Sequence, residues 1–391
     1  MSEAPKRIAI NAGGPYVPGL NAVVAGAALA AHELGWEAFG IRDGYEGLLF
    51  RDRYPQGGLL KLAPEGVAGI AEAADGFLGT SRIDPFYVRT IQKYEDEMEG
   101  VEEIDRSSEL LTTLQNEQID GVISVVGRRP LSIALKLANK GLKTLCVPES
   151  VENDIASTMS LGFNTALSFS IELLERLRTA ARATRKIAVA EVLGEHTGWL
   201  ALQAGIAACA DAILIPEIPF DLAKVAQRLK QNQESGRAPS LIVVSEGARA
   251  VQQGQPHLES TGTIEHTRRA LSPGASEEGT DGGRKVIDRS GAAAAAVALE
   301  IQRRSDRETF PFVLSEILRG GRLTATDCQL GMAYGAAAVR AFHDGHSGVL
   351  IAFQPQIAYV PLADAVNKIR TVPPDSQFLQ AARAMGISLG D

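Results

Sequence analysis

The sequence is poor in cysteine and in aromatic residues. Its 391 residues include three cysteines, Cys146, Cys209 and Cys328, whose spacing fits neither a zinc site nor a disulfide framework. We therefore expect buried free thiols in a reducing compartment. No apolar run reaches the roughly 18 residues that a membrane-spanning helix needs. The first residues, MSEAPKR, lack the apolar core of a secretory signal. These absences predict a cytoplasmic protein with no membrane partner.

The sequence also has fewer basic than acidic residues. Lysine and arginine number 39 against 47 aspartates and glutamates, which leaves a net charge of -8. This balance argues against nucleic acid as a partner, although a local basic pocket can still bind a phosphate group. With 45% hydrophobic residues, a chain of this length can bury the cores of two domains.

Short β-rich runs alternate with longer stretches of helical period. The runs are KRIAI, EAFGI, GVISVV, LKTLCV, KIAVAEV, AILIPE, SLIVVSE and SGVLIAF, and the first helical stretch covers residues 20–34. This alternation is typical of a parallel sheet wrapped by helices, and nearly continuous apolar runs indicate strands buried on both faces. We predict an α/β fold with mostly parallel sheets, and more than one sheet to accommodate all the runs.

Residues 252–284 are rich in Gln, Gly, Ser, Thr and Glu and show no periodicity. This composition predicts a flexible loop or an insertion. Residues 292–298 are small and predict a closely packed helix.

A series of short motifs follows along the chain. The first strand runs into NAGGPYVPGLN, a glycine-rich turn before a helix, where backbone amides and the positive helix end favour an anion. Alone this is a weak indication, because a tight strand-to-helix crossing needs small residues in any case. The motifs DGYEGLL, FLGTSR, PESVEND, AEVLGEHTGWLA, VVSEG and LRGG then follow in order. Together, from about residue 8 to about residue 366, they resemble the phosphofructokinase family.

The resemblance implies two doubly wound, Rossmann-like domains with the active site in the cleft between them. It places residues 1–163 and 318–367 in a donor-side domain for the nucleotide or phosphate, and residues 164–317 and 368–391 in an acceptor-side domain for the sugar phosphate. It also implies a glycolytic transferase, a kinase that phosphorylates fructose 6-phosphate or a related sugar phosphate from ATP or pyrophosphate. In the family, Mg²⁺ and arginines neutralise the donor and a carboxylate draws the proton from the sugar hydroxyl.

The donor positions depart from the family pattern. Gly13 and Gly14 match its Gly-Gly-Asp, but Pro15 replaces the aspartate. The second phosphate loop, Gly-Gly-Asp-Gly-Ser in the family with its aspartate on Mg²⁺, is here Val126, Gly127, Arg128, Arg129 and Pro130.

A guanidinium at a metal position repels a cation, so we predict no metal site at this loop. Arg128 and Arg129 either bind an anion in place of the metal or form a salt bridge at the surface or between the domains. Arg82, in FLGTSR, matches the family's donor-side arginine.

The catalytic strand end is closer to the pattern. The family's Thr-Ile-Asp-Asn-Asp is here SVEND, so that Ser150, Glu152 and Asp154 match the hydroxyl, the base and a second carboxylate. The extra methylene of Glu152 moves its carboxylate by roughly a bond length, and a displacement of about 1 Å can lower a rate about a hundredfold. Glu149 stands where ATP-dependent members have glycine and pyrophosphate-dependent members have lysine. A reversed ion pair between Arg129 and Glu149 is a hypothesis that follows.

The acceptor positions invert charge in two places. The family's Met-Gly-Arg ends here in Glu195, and the histidine three residues before Arg319 is Glu316. Glu246 and Arg319 match the sugar-binding glutamate and arginine. Lys186 stands where bacterial members place an arginine that reaches the 6-phosphate from a neighbouring subunit.

Two functions remain open. We favour a non-catalytic or regulatory member, a pseudoenzyme without a cofactor. It would bind a small anionic metabolite, namely a sugar phosphate, a nucleotide or pyrophosphate. It would form a homo-oligomer, dimer or tetramer, or a hetero-oligomer with a catalytic paralogue. The alternative is an active 6-phosphofructokinase-type phosphotransferase with Mg²⁺, whose machinery would include Arg82, Ser150, Glu152, Asp154, Glu246 and Arg319. Trp199 is interpreted as a packing residue.

Overall fold

The computed structural model describes residues 6–67, 69–71, 76–80, 84–92, 99–156, 158–251, 280–281, 284–285, 291–353 and 355–391. The strands are β1 (Arg7–Gly13), β2 (Glu37–Ile41), β3 (Leu59–Lys61), β4 (Phe86–Gln92), β5 (Glu99–Asp105), β6 (Gly121–Val126), β7 (Thr144–Pro148), β8 (Ile187–Val192), β9 (Ala212–Leu214), β10 (Leu241–Ser245), β11 (Thr280–Asp281), β12 (Arg284–Lys285), β13 (Thr309–Val313), β14 (Val349–Phe353) and β15 (Ile357–Pro361). The α-helices are α1 (Leu20–Glu33), α2 (Glu46–Leu49), α3 (Pro64–Val67), α4 (Ser107–Asn116), α5 (Arg128–Asn139), α6 (Phe163–Thr184), α7 (Trp199–Ala207), α8 (Leu222–Glu234), α9 (Ala292–Arg304), α10 (Ala325–His343), α11 (Leu362–Ala365) and α12 (Gln377–Ala384). Short 3₁₀ helices cover Arg51–Arg53, Pro55–Gly58 and Ser315–Arg319.

The chain divides into two compact units and crosses between them several times. The first unit comprises Met1–Val151, Ile155–Thr165 and Arg319–Ile369. The second comprises Glu152–Asp154, Ala166–Leu318 and Arg370–Asp391. The short Glu152–Asp154 segment therefore packs with the second unit, although its neighbours on both sides belong to the first.

The first unit is built on a seven-stranded sheet in the order β15-β14-β7-β6-β1-β2-β3. Its five inner strands are parallel, and the edge strands β15 and β3 are antiparallel to their neighbours. Every residue of β6 and β7 is buried, as expected for parallel strands covered on both faces. The predicted α/β class with mostly parallel sheets is confirmed.

Helices α1 and α10 pack closely against each other in the first unit. A Cβ atom at Gly26 would lie 2.3 Å from the Met332 carbonyl oxygen, and one at Gly335 would lie 2.3 Å from the Val23 carbonyl oxygen. Only glycine permits this approach of two backbones. At the start of α1, directly after the glycine-rich turn, Gly19 is left-handed with φ 98°.

The second unit has a parallel four-stranded sheet in the order β13-β8-β10-β9. The predicted AILIPE run forms a shorter strand, β9, beside which Ser388 adds a parallel bridge to Ala212. The predicted small-residue helix is α9, and the buried Glu191 accepts a 2.8 Å hydrogen bond from the Ala294 amide at its start.

Most of the segment 252–284, predicted as a loop or insertion, lies outside the described residues. Within it, β11 pairs with the start of β12 in antiparallel register. Among the described residues, the helices fall short of the length and apolar character needed to cross a bilayer.

Candidate functional site

The carboxyl ends of β1, β6 and β7 bring the sequence-predicted donor positions together in the first unit. A Cβ atom at Gly13 would lie 3.4 Å from Val126 Cγ1, and one at Gly14 would lie 3.8 Å from Glu149 Oε1. Neighbouring parallel strands place the residues that follow them along one sheet edge, where α/β proteins bind ligands. We call the surface formed by Gly13, Gly14, Gly127, Arg128, Arg129 and Glu149 the donor crevice.

Arg128 and Arg129 are the first two residues of α5, and Gly127 precedes them in extended conformation. The start of a helix carries partial positive charge from its unpaired amides, so anions are favoured there and cations are disfavoured. Two guanidinium groups add to this charge. The local electrostatics of the donor crevice therefore favour an anion between the arginines and the helix end.

Glu149 continues from β7 into the same crevice. Its amide donates to the Val126 carbonyl oxygen at 3.1 Å, and the residue is only 3% exposed. Burial raises the pKa of the Glu149 carboxyl well above its usual range, and attraction to Arg319 lowers it by a smaller amount. Arg319 is itself 8% exposed.

The hypothetical ion pair between Arg129 and Glu149 does not form among the described side chains. Glu149 interacts electrostatically with Arg319 instead. Arg129 acts on Asp84, where burial raises the pKa to about 6 and the Arg129 charge lowers it in part. Sequence reasoning missed Asp84 because it follows the FLGTSR motif, and nothing local relates it to the second phosphate loop.

The residues of the donor crevice do not fit Mg²⁺. That ion prefers ionised carboxylates and water, whereas the crevice offers two guanidiniums and a buried glutamate whose raised pKa favours its protonated form. Across the described part of the chain, histidine, cysteine and acidic side chains form no group of three or more suited to a metal ion.

A turn at Gly194 organises the second unit's candidate residues. The Glu195 amide donates to Glu152 Oε2 at 3.1 Å, and the Gly194 amide donates to Glu246 Oε1 at 3.3 Å. Gly194 has φ 149°, and a Cβ atom there would lie 2.2 Å from Ser245 Oγ, so glycine is required. The turn thus brings Glu152, Glu195 and Glu246 together at the carboxyl ends of β8 and β10, and it orients the carboxylate of Glu152.

Asp154 is fixed through a residue that sequence reasoning missed. The Arg370 amide donates to the Asp154 carbonyl oxygen at 2.8 Å, and the Arg370 guanidinium lies 4.9 Å from the centre of the Trp199 ring. Trp199 is buried, as predicted for a packing residue, but its Nε1–H also donates to the Arg370 carbonyl oxygen at 2.9 Å. Arg370 ends the sequence KIR, and nothing in the residues around it indicates this contact with Trp199.

Lys186 is not brought to the Gly194 turn. It precedes β8, whereas Gly194 follows that strand, and six strand residues span roughly 20 Å. Its Nζ forms a 2.7 Å ion pair with the exposed Glu308, an arrangement that contributes little to stability.

Of the remaining predicted positions, Ser150 and Arg319 lie in the first unit and Glu316 lies in the second. The Ser150 amide donates to the Leu161 carbonyl oxygen at 3.0 Å. Glu316 and Arg319 share the 3₁₀ helix Ser315–Arg319. Arg82 lies outside the described residues.

Comparison with known proteins places these features in a family context. The model of the family described as phosphofructokinase matches residues 7–342. An ATP-dependent 6-phosphofructokinase from Chloroflexus aurantiacus is 33% identical over 396 residues, covering 100% of this chain and 99% of the relative. A pyrophosphate–fructose 6-phosphate 1-phosphotransferase from Amycolatopsis methanolica is 34% identical over 374 residues, covering 94% and 97%. The solved pyrophosphate-dependent phosphofructokinase from Nitrosospira multiformis superposes with a TM-score of 0.73 at 18% identity, covering 99% of this chain and 93% of that one, a likeness of fold.

Proposed function

Since the chain belongs to the phosphofructokinase family, we propose that it is a non-catalytic or regulatory member that binds a small phosphate-bearing anion in its donor crevice. The anion is a nucleotide, pyrophosphate or a sugar phosphate. Guanidinium and amide groups hold it, and no metal ion bridges it to the protein.

The position of Arg128 and Arg129 in the first turn of α5 carries this proposal. Cations in the first turn of a helix oppose the helix dipole, each at a cost of about 0.3–1 kcal/mol. A bound phosphate removes this cost, because it interacts favourably with both the helix end and the guanidiniums. A metal-bound nucleotide gains less, since Mg²⁺ neutralises the phosphates and is repelled by the arginines.

Calorimetric titration with pyrophosphate, ATP and fructose 6-phosphate tests the proposal, each in EDTA and again in excess Mg²⁺. We expect at least one of these anions to bind in EDTA, and Mg²⁺ to weaken the binding roughly tenfold. The double substitution Arg128→Ala with Arg129→Ala should abolish binding. Arg176→Ala, which removes an exposed arginine on α6 that pairs with Glu172, should leave it unchanged. Binding that requires Mg²⁺ would contradict the proposal.

An active phosphotransferase is the second candidate, favoured by the Glu152 carboxylate that the Glu195 amide holds in place. The similar proteins named as ATP- and pyrophosphate-dependent enzymes also support it. In this case Glu152 would draw the proton from the acceptor hydroxyl. Mg²⁺ would be required as a cofactor at a site other than Arg128 and Arg129.

A coupled assay with fructose 6-phosphate and either ATP or pyrophosphate separates the two candidates. On the proposed function, turnover stays below about one hundredth of the roughly 1–100 per second of typical kinases. Turnover inside that range, lost on Glu152→Gln, would overturn the non-catalytic proposal and establish the second candidate.

A further inference from the structure

The segment Glu152–Asp154 is held in an unusual way. Its three residues belong to the second unit, although Val151 and Ile155 on either side belong to the first. Asn153 has a left-handed backbone with φ 55°. Asparagine adopts this conformation more readily than most residues other than glycine, so the backbone here is uncommon but not strained. The second unit supplies contacts that hold this segment.

Hydrogen bonds from two separate stretches of the second unit attach the segment directly. The Glu195 amide donates to Glu152 Oε2 at 3.1 Å, and the Arg370 amide donates to the Asp154 carbonyl oxygen at 2.8 Å. Residues 194–199 and residues 370–372 are distant in sequence, so their mutual position decides whether both bonds form together.

Trp199 links these two stretches. Its Nε1–H donates to the Arg370 carbonyl oxygen at 2.9 Å, while the Arg370 guanidinium lies 4.9 Å from the ring centre. Trp199 is 6% exposed, and a cation over a desolvated indole face is stabilised more than at an exposed site. One side chain thereby holds both the backbone and the head group of Arg370.

Glu217 links the same two stretches a second time. Both of its carboxylate oxygens lie 3.0 Å from the Gly198 amide nitrogen, and Oε1 also accepts from the Val372 amide at 2.8 Å. Only glycine fits at position 198, because a Cβ atom there would lie 2.3 Å from Ile215 Cβ. A single carboxylate therefore fastens the residue before Trp199 to the second residue after Arg370.

We infer that Trp199 and Glu217 are positioning residues that keep the Glu152 carboxylate oriented through Arg370. The indole and the carboxylate lock residues 370–372 onto residues 198–199, and the locked segment holds Asp154. This arrangement keeps Glu152 within reach of the Glu195 amide. The inference goes beyond the proposed function and does not depend on it, because the geometry belongs to the free protein.

Amide hydrogen exchange, resolved to single residues, tests the inference on the full chain without ligand. Trp199→Phe keeps an aromatic face but removes the Nε1–H donor. Glu217→Gln keeps the shape but replaces one acceptor oxygen by an NH₂ group. Either variant should accelerate exchange of the Glu195 and Arg370 amides roughly tenfold or more relative to wild type. Trp36→Phe, at the chain's other tryptophan, is the matched control and should leave both amides unchanged.

A purely packing role for Trp199 gives a different pattern. Exchange would then rise throughout α7 without singling out the Glu195 and Arg370 amides, and Glu217→Gln would leave both at the wild-type rate. That result would overturn the inference. If calorimetry shows no anion binding, the proposed function fails while the exchange measurement still decides the role of Trp199 and Glu217. If the chain proves active, both variants should lower kcat at least tenfold and change the KM for the acceptor less than threefold; an unchanged kcat would overturn the inference.

Discussion

Arg128 and Arg129 determine the charge of the donor crevice. Restoring the family pattern with Arg128→Asp and Arg129→Gly removes two positive charges and adds a carboxylate at the start of α5, where anionic side chains are favoured. We expect the affinity for Mg²⁺-bound ATP or pyrophosphate to rise at least tenfold, because the carboxylate attracts the metal that the guanidiniums repelled. Calorimetry in excess Mg²⁺ measures this change, and Arg176→Asp with Arg182→Ala on α6 controls for the same change in net charge. Equal affinities of the double variant and wild type would count against our account of this loop.

Asp84 makes stability depend on pH in the acid range. Burial raises its pKa from 3.8 to about 6 in the folded protein, so the folded state holds this proton more tightly than the unfolded chain does. The contribution of this tighter proton binding to the stability of the folded state is fully present below pH 3.8. It is lost as the pH rises through about 6. Asp84→Asn removes the titration, and it should raise the apparent melting temperature at pH 7.5 by more than at pH 4. Loss of the Arg129 attraction makes the gain smaller.

Melting curves of Asp84→Asn at both pH values check this prediction. Asp52→Asn, which changes an exposed aspartate of the same unit, is the control and should show no such difference. A variant that loses stability at pH 7.5 relative to pH 4 would mean that attraction to Arg129 outweighs burial.

At the scale of the secondary-structure elements, Asp327 of α10 contacts the start of α6 within the first unit. The side chain is fully buried and lies in the first turn of α10, yet Oδ2 accepts from the Thr165 amide and Thr165 Oγ1, both at 2.7 Å, and Oδ1 accepts from the Gly162 amide at 3.1 Å. A carboxylate of one helix thus caps the start of α6, the helix that follows the Ser150–Asp154 segment in the chain. Burial raises its pKa overall.

Asp327→Asn should lower the apparent melting temperature by about 5 °C or more. The amide group places an NH₂ against the Thr165 or Gly162 amide, which leaves a buried donor without an acceptor. Relief of the charge desolvation offsets part of this loss. Asp344→Asn, at the exposed end of α10, is the matched control. A similar decrease in both variants would exclude a specific capping role.

The elements themselves were predictable where burial on both faces leaves an apolar run, as in β6, β7, β8 and β10. The antiparallel edges β3 and β15 were not, because partly exposed strands lack that pattern. The candidate site was likewise predictable only where a local sequence pattern marks its residues. The glycine-rich turn and the Glu152 segment can be located from local motifs. The charge interaction of Asp84 with Arg129 and the contact of Arg370 with Trp199 depend instead on how distant segments pack.

At the scale of the whole molecule, fold and activity depend on different residues. The fold is maintained by buried apolar strands and by the close contact of α1 with α10. Substitutions at Arg128, Arg129, Glu149 and Glu195 leave these contacts intact, because they lie where the strands end. The fold therefore depends on residues other than these four, and fold and ligand binding can change independently.

Assembly distinguishes two forms of the proposed non-catalytic function. We propose a homo-oligomer for a protein that binds its anion alone, and a hetero-oligomer for one that regulates a catalytic paralogue. Light scattering of the purified chain should then give about two or four times 41.5 kDa. Mixing with a catalytic family member from the same genome should leave that mass distribution unchanged on the first alternative and produce mixed species on the second. A monomer that stays monomeric in the mixture would exclude both forms of assembly. Anion binding in the donor crevice would then be decided by calorimetry alone.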